Sequence, residues 1–295
     1  MYPSILPDNM KRLLLAFVLL YASQVHAQDD LLSLLEDEQP DQPTLVEATF
    51  KGTRVINGHS IETRRKGVMD FIISHRFGTI DGGLYELYGL DNATVRIGLE
   101  YAVTDRLYLG LGRSSFEKTA DGFLKYRVLR QMSGGGMPIS LTWFSSMSIK
   151  TLRNPELDLS FTDKLASTHQ LLIARKISSS VSIQLMPTWV HKNLIETEEV
   201  NNDAYALGIG GRVKLSQRVA LVAEYYYVAQ KIDASSTNPI AIGFDIETGG
   251  HVFQLQFTNA TAMVPKGFVS ETDNDFFANE IHFGFNVSRT FQVGN

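Results

Sequence analysis

The sequence predicts an all-β protein: an antiparallel up-and-down transmembrane β-barrel of about 12 strands, preceded by an N-terminal periplasmic or plug segment. Three observations lead there. Apolar residues alternate with polar or small ones in segments of about ten residues. The connections between these segments alternate between short and long without a break. The 295-residue chain opens with an export-like segment and has no second apolar run long enough to cross a bilayer as a helix.

At the N-terminus, Lys11 and Arg12 precede the apolar run Leu13 to Leu20, and Val25-His26-Ala27 supplies the small residue that signal peptidase needs. Residues 1–27 therefore read as a signal peptide, with Met10 an alternative start. The apolar run, about ten residues, falls well short of a spanning helix. Cysteine is absent, which excludes lipid attachment through a cysteine and excludes disulfides. Removing residues 1–27 takes away Asp8, Lys11 and Arg12 and moves the formal charge from -5 to -6, with no basic stripe to suggest nucleic acid. Mean hydropathy near zero suits strands in which only every second residue is apolar.

Residues 28–66 form an acidic leader followed by a hairpin or plug segment. The leader carries Asp29, Asp30, Glu36, Asp37, Glu38 and Asp41 around paired leucines, and Pro40 and Pro43 close it, as in a solvated tail. Val46, Ala48 and Phe50 alternate weakly, and Asn57-Gly58 favours a tight turn. The flanks are short and polar for a lipid-facing wall, although two extra wall strands stay open as an alternative.

Residues 67–295 are assigned to the barrel. Val95, Ile97, Leu99, Tyr101 and Val103 alternate with Thr94, Arg96, Gly98, Glu100 and Ala102, and the pattern recurs through Ile281, Phe283, Phe285 and Val287. Strands are expected near 68–77, 94–103, 107–114, 123–131, 138–149, 166–176, 181–191, 204–214, 219–228, 240–247, 251–259 and 279–291. Short turns against longer outer loops place both termini in the periplasm. Thr104-Asp105-Arg106-Leu107, Ser216-Gln217-Arg218-Val219 and, less clearly, Ser288-Arg289-Thr290-Phe291 share a turn-like pattern. Phe77, Tyr101, Trp143, Trp189, Tyr225, Tyr227, Phe253 and Phe291 fall on the apolar face, as interfacial girdles require, and Ala204, Ala206, Gly208 and Gly210 give a small inner face.

Several stretches resemble a known family: Asp29-Asp30-Leu31-Leu32-Ser33-Leu34-Leu35, Phe50 to Ser60, His75-Arg76-Phe77-Gly78, Gly89-Leu90-Asp91 and Gly110 to Ser115. Together they resemble a Bacteroidota family of outer-membrane β-barrel proteins described only as a domain of unknown function. The resemblance implies location and barrel fold. It transfers no activity, cofactor or catalytic residue.

Inside a barrel, polar side chains must pair, hold water or meet solute. Parity turns Asp70, Arg76, Arg96, Glu100, Lys125, Arg127, Glu224, Asp245 and Glu247 inward. Arg76, Arg96, Lys125 and Arg127 are expected in the outer halves of strands one, two and four, across from Glu224, Asp245 and Glu247 on strands nine and ten. Such opposed charges suit a passive channel or binding barrel for small polar solutes. The alternative is a structural or partner-docking barrel whose charges neutralise one another, or the segment 44–67, and fill the lumen.

A barrel lipid hydrolase would need a serine activated by a histidine. His59 and Ser60 point to opposite faces, His75, His169 and His251 sit on lipid faces without an evident serine partner, and His282 is far from Ser288. No enzymatic activity and no cofactor is expected. Glu271, Asp273 and Asp275 could meet calcium, but a solvated loop is the simpler reading, so no metal site is assigned. The expected location is the cell outer membrane, and the expected partners are its lipid and the barrel-assembly machinery.

Overall fold

The computed structural model describes residues 43–152, 159–194 and 201–294. The expected signal peptide and nearly all of the acidic leader lie outside the described residues. Residues Leu45–Asn295 form one compact unit, which contains the barrel.

Twelve strands form one closed antiparallel sheet: β1 (Val68–Thr79), β2 (Ala93–Ala102), β3 (Leu107–Ser114), β4 (Thr119–Leu129), β5 (Ser140–Lys150), β6 (Leu165–Lys176), β7 (Val181–Lys192), β8 (Asp203–Lys214), β9 (Val219–Gln230), β10 (Ile240–Thr248), β11 (His251–Thr258) and β12 (His282–Gln292). Each strand pairs with its sequence neighbours. β1 closes on β12, from Val68 opposite Gln292 to Arg76 opposite Gly284, with a bulge before Thr79. Closure leaves no strand edge unpaired, which lipid requires because it offers no hydrogen bonds to a free edge.

The alternation in sequence becomes an inside and an outside. Along β7, Gln184, Met186 and Val190 are buried while Ile183, Leu185 and Trp189 face out. Three of the turns, at 103–106, 177–180 and 215–218, share one device. The hydroxyl of Thr104 accepts from the amides of Arg106 and Leu107 at 3.1 and 2.9 Å, that of Ser216 from Arg218 and Val219 at 3.4 and 3.1 Å, and that of Ser178 from Ser180 and Val181 at 3.2 and 3.1 Å. A side-chain oxygen that satisfies two successive amides fixes a tight turn without glycine. The third member of the set is therefore Ser178, whereas Ser288 to Phe291 lies within β12.

Two long connections differ from expectation. β4 starts at Thr119 rather than near 123, because Asp121 points inward and pairs with Arg96. The last connection, expected to be a solvated loop, carries helix α1 (Pro265–Ser270), whose six residues are all buried. Proline at its start fits a position whose amide needs no intrahelical partner. Phe268 of α1 packs edge-on against Tyr226 of β9, ring centres 5.3 Å apart.

Candidate functional site

The barrel interior is occupied by the chain's own segment 49–63. Val55 N donates to Gly58 O at 2.8 Å and Ser60 N to Thr53 O at 3.0 Å, which makes a hairpin turned at Ile56-Asn57. Phe50, Val55, Ile56 and Ile61 from this inner hairpin are buried against Tyr108, Phe123, Phe144, Met186, Val222 and Tyr226 of the wall. The small inner face of β8 makes room for it: a Cβ at Gly210 would lie 3.0 Å from Val55 Cγ1.

Two wall charges hold the hairpin by its backbone. The Glu224 carboxylate accepts from the amides of Asn57 at 2.7 Å, Gly58 at 3.1 Å and Ile56 at 3.2 Å. The Lys125 ammonium donates to the carbonyls of Thr53 at 2.9 Å and of Ser60 and Glu62 at 3.1 Å. An anion on converging amides and a cation on converging carbonyls are the complementary ways to satisfy backbone that no sheet covers. Neutral side chains complete the grip. Gln184 accepts from Ile61 N at 2.7 Å and donates to His59 O at 2.8 Å; Gln254 donates to Val55 O at 2.6 Å, and Asn286 to Ile56 O at 3.1 Å.

The other lumen residues expected from sequence are also engaged. Glu100 pairs with Arg54 of the hairpin at 2.6 Å and accepts from Thr53 Oγ1 at 2.9 Å. Arg76 donates to Asn57 Oδ1 at 2.7 Å. Arg96 is held by Asp121 through two bonds of 2.9 and 2.5 Å. Asp245 accepts from Gln254 at 2.7 Å. Asp70 accepts from Tyr108, Arg64 and Thr290 at 2.6, 2.7 and 2.6 Å. Glu247 pairs with Lys51.

The picture of a basic wall facing an acidic wall across a passage needs correction in two respects. The charges face the hairpin or near neighbours rather than each other. β4 also runs away from the outer side, so Lys125 is mid-strand and Arg127 lies in the half nearer the turns at 103–106 and 177–180, not the outer half. Here the expected alternation of loop lengths breaks, because the outer connection 115–118 is shorter than the connection 130–139 at the other end. Arg127 reaches the Thr63 and Asp105 carbonyls at 3.3 and 3.4 Å and borders a cavity of about 620 Å³ at that end, with Glu47, Lys51, Arg65, Arg130 and Glu247.

Sequence reasoning missed Asp121, although it shares the parity of Lys125. It also missed Gln184, Gln254 and Asn286, whose uncharged amides carry no sequence signal of their own.

His59 sits 4.2 and 4.5 Å from the ring centres of Phe144 and Phe123 and meets Arg54 Nη1 at 2.8 Å through Nδ1. Burial, with Arg54 and Lys125 adding to it, pushes its pKa well below 6.5, and Nδ1 accepts a hydrogen bond from the Arg54 guanidinium. His169 does have a serine partner. Ser145, its neighbour across β5 and β6, meets Nδ1 at 3.0 Å on the outward face, with Trp189 stacked alongside. His282 bonds Thr261, Asn274 and the Phe77 carbonyl, at 3.0, 2.7 and 2.8 Å. In the last connection, Glu271 is taken by Lys266 at 2.6 Å and Lys192 at 2.8 Å, and Asp275 caps a turn by accepting from Phe277 N at 2.8 Å.

The chain has no significant match among curated proteins. Among solved structures it is similar to the NanC porin, at 5% identity and TM-score 0.47 over 76% of this chain and 98% of that one. It is similar to the KdgM porin in complex with disordered oligogalacturonate, at 10% and 0.45 over 76% and 99%, and to an outer membrane channel from Pseudomonas putida F1, at 13% and 0.46 over 78% and 97%. The model of the membrane bound beta barrel domain (DUF5777) matches residues 50–291, a span that takes in the inner hairpin as well as the wall, and the chain belongs to that family of membrane-bound β-barrels.

Proposed function

We propose that the protein is a bacterial outer-membrane barrel kept closed by its own inner hairpin, serving as a structural or partner-docking element in this closed form. The observation that carries this reading is the double grip of Glu224 on three hairpin amides and Lys125 on three hairpin carbonyls. Filled by backbone and buried apolar side chains, such a lumen offers a hydrated solute no continuous path. The export-like start and, away from β4, the alternation of short turns with long loops support the outer membrane and periplasmic termini, with outer-membrane lipid and the barrel-assembly machinery as partners. The Ser145–His169 pair satisfies two polar groups on a lipid-facing wall.

A second reading, passage of small polar solutes, is favoured by the 620 Å³ cavity beside the hairpin base. It requires the hairpin to withdraw. Flux of small sugars and amino acids into proteoliposomes tests both. Wild type should be impermeable, and Glu224→Gln combined with Lys125→Met should admit solute if withdrawal opens a path. Open-porin flux through wild type, with hairpin amides still protected from exchange, would overturn the closed-barrel reading.

A further inference from the structure

We propose that the first long loop, between β1 and β2, anchors the barrel sideways by inserting a ridge of Leu84, Tyr85, Leu87 and Tyr88 into the lipid leaflet on that side of the membrane. These side chains are 76, 94, 52 and 53% exposed. Four large apolar residues left open within five positions form a patch that water does not suit, unlike single exposed leucines.

The ridge is held in place. Leu87 and Tyr88 adopt left-handed backbone at φ 49° and 54°, a conformation bulky residues rarely take without a reason elsewhere. Gly78 N donates to Asn92 O at 2.9 Å across the loop base, Ile80 N to Ile281 O at 2.9 Å, and Leu90 N to Leu87 O at 3.2 Å. Gly89, at φ 85°, packs so tightly on β1 that a Cβ would sit 2.4 Å from Gly78 O. A braced base and two unfavourable backbone positions together present the leucines and tyrosines rather than fold them away.

Continuity with the lipid-facing wall identifies lipid as the occupant. Where β1 enters the loop, Phe77 stacks on Phe283 at 5.7 Å, and Phe283 lies 5.5 Å from Phe257, so an aromatic band ends the wall a few residues before the ridge begins. Leucine with tyrosine suits the boundary between acyl chains and headgroups, because the phenol hydroxyl can reach water while the ring stays in lipid. The loop's charges are Asp81, Glu86 and Asp91; Glu86 lies between Tyr85 and Leu87 in sequence but is half-buried, less exposed than either neighbour. The inference needs only a membrane-bound barrel and is independent of whether the lumen opens.

Because the chain has no cysteine, single labels test it directly. Tyr85→Cys and Ala234→Cys, the latter in the exposed β9–β10 loop, would each carry an NBD dye, with the protein in phosphatidylcholine vesicles. The label at 85 should emit at shorter wavelength, be quenched by doxyl-labelled phospholipid and be shielded from iodide, and the label at 234 should show the reverse. If the label at 85 is quenched by iodide as readily as that at 234 and ignores the doxyl lipid, the ridge stands in water for a glycan or protein partner, and lipid anchoring is wrong.

Discussion

The carboxylate of Glu224 on β9 accepts the backbone amide of Asn57 at 2.7 Å, although the two residues lie 167 positions apart in the chain. The same group also takes the Ile56 and Gly58 amides, so one buried anion satisfies the tip of a hairpin that no strand covers. Glu224→Gln keeps the shape and removes the charge. Hydrogen bonds to a charged group contribute more than neutral ones by about 1 kcal/mol. Exchange of the 54–60 amides should then accelerate by about fivefold to tenfold while wall amides stay protected, as mass spectrometry would read. Unchanged exchange would mean that Glu224 is not the clamp.

Gly58 must be glycine for reasons of space. A Cβ there would lie 2.2 Å from the Tyr226 hydroxyl and 3.2 Å from Glu224 Oε2. Gly58→Ala should lower the unfolding midpoint, with a cost of about 1–3 kcal/mol typical of an overpacked site. Tyr226→Phe removes the obstructing oxygen, at the loss of its 3.2 Å contact to Met186 Sδ and its interaction with Gln170. The double variant should recover stability, giving a coupling of at least about 0.5 kcal/mol. Strict additivity would show that the tip is not seated under Tyr226.

These two contacts mark how far the sequence could be read. Strand number was legible because period two is a local property; loop length misled at β4, and the Asn57-Gly58 step marked a turn that is centred one residue earlier, on Ile56-Asn57. The charged members of the grip, Glu224, Lys125, Glu100 and Arg76, were legible as inward-facing, but their partners on the hairpin were not, since most of these contacts join residues far apart in the chain, up to 230 positions for Asn286 and Ile56. Register was equally hidden, which is why the Ser145–His169 pair and the Arg96–Asp121 pair escaped notice: each joins side chains on different strands. Helix α1 is six residues long, too short to show a helical period.

Acid should loosen the last connection. Burial alone would raise the Glu271 pKa, but Lys266 and Lys192 outweigh it and hold the group below its ordinary 4.5. A carboxylate depressed in the folded state contributes stability that is complete above its ordinary pKa and is lost as pH falls through the folded value. Protection of the α1 amides should hold from neutral pH to about 5 and decline below the usual carboxylate range. Neighbouring Asp273 is shifted upward by burial, Asp233 and Glu271, and so acts with opposite sign. Glu271→Gln separates the two: its protection should be lower at neutral pH and should lack the acid-side decline. A wild-type profile that is flat down to pH 3 would rule out the ion-pair latch.

Arg96 and Asp121 make the last test, because the sequence places Arg96 in a selectivity wall, whereas the structure gives it Asp121 as its partner. Their side chains are 3 and 5% exposed and joined by two parallel bonds. Removing one member leaves the other charge buried without its counterion, which typically costs about 3–5 kcal/mol, whereas replacing both by apolar groups of similar volume is often neutral. Arg96→Met and Asp121→Leu should therefore each lower the denaturant midpoint of the refolded barrel strongly, and the pair together should restore most of it. A filter residue would behave differently. Its replacement would leave stability nearly unchanged and would alter ion selectivity in any variant that conducts. If Arg96→Met folds with wild-type stability, the pair is not a structural unit, and the arginine is free to face a passage after all.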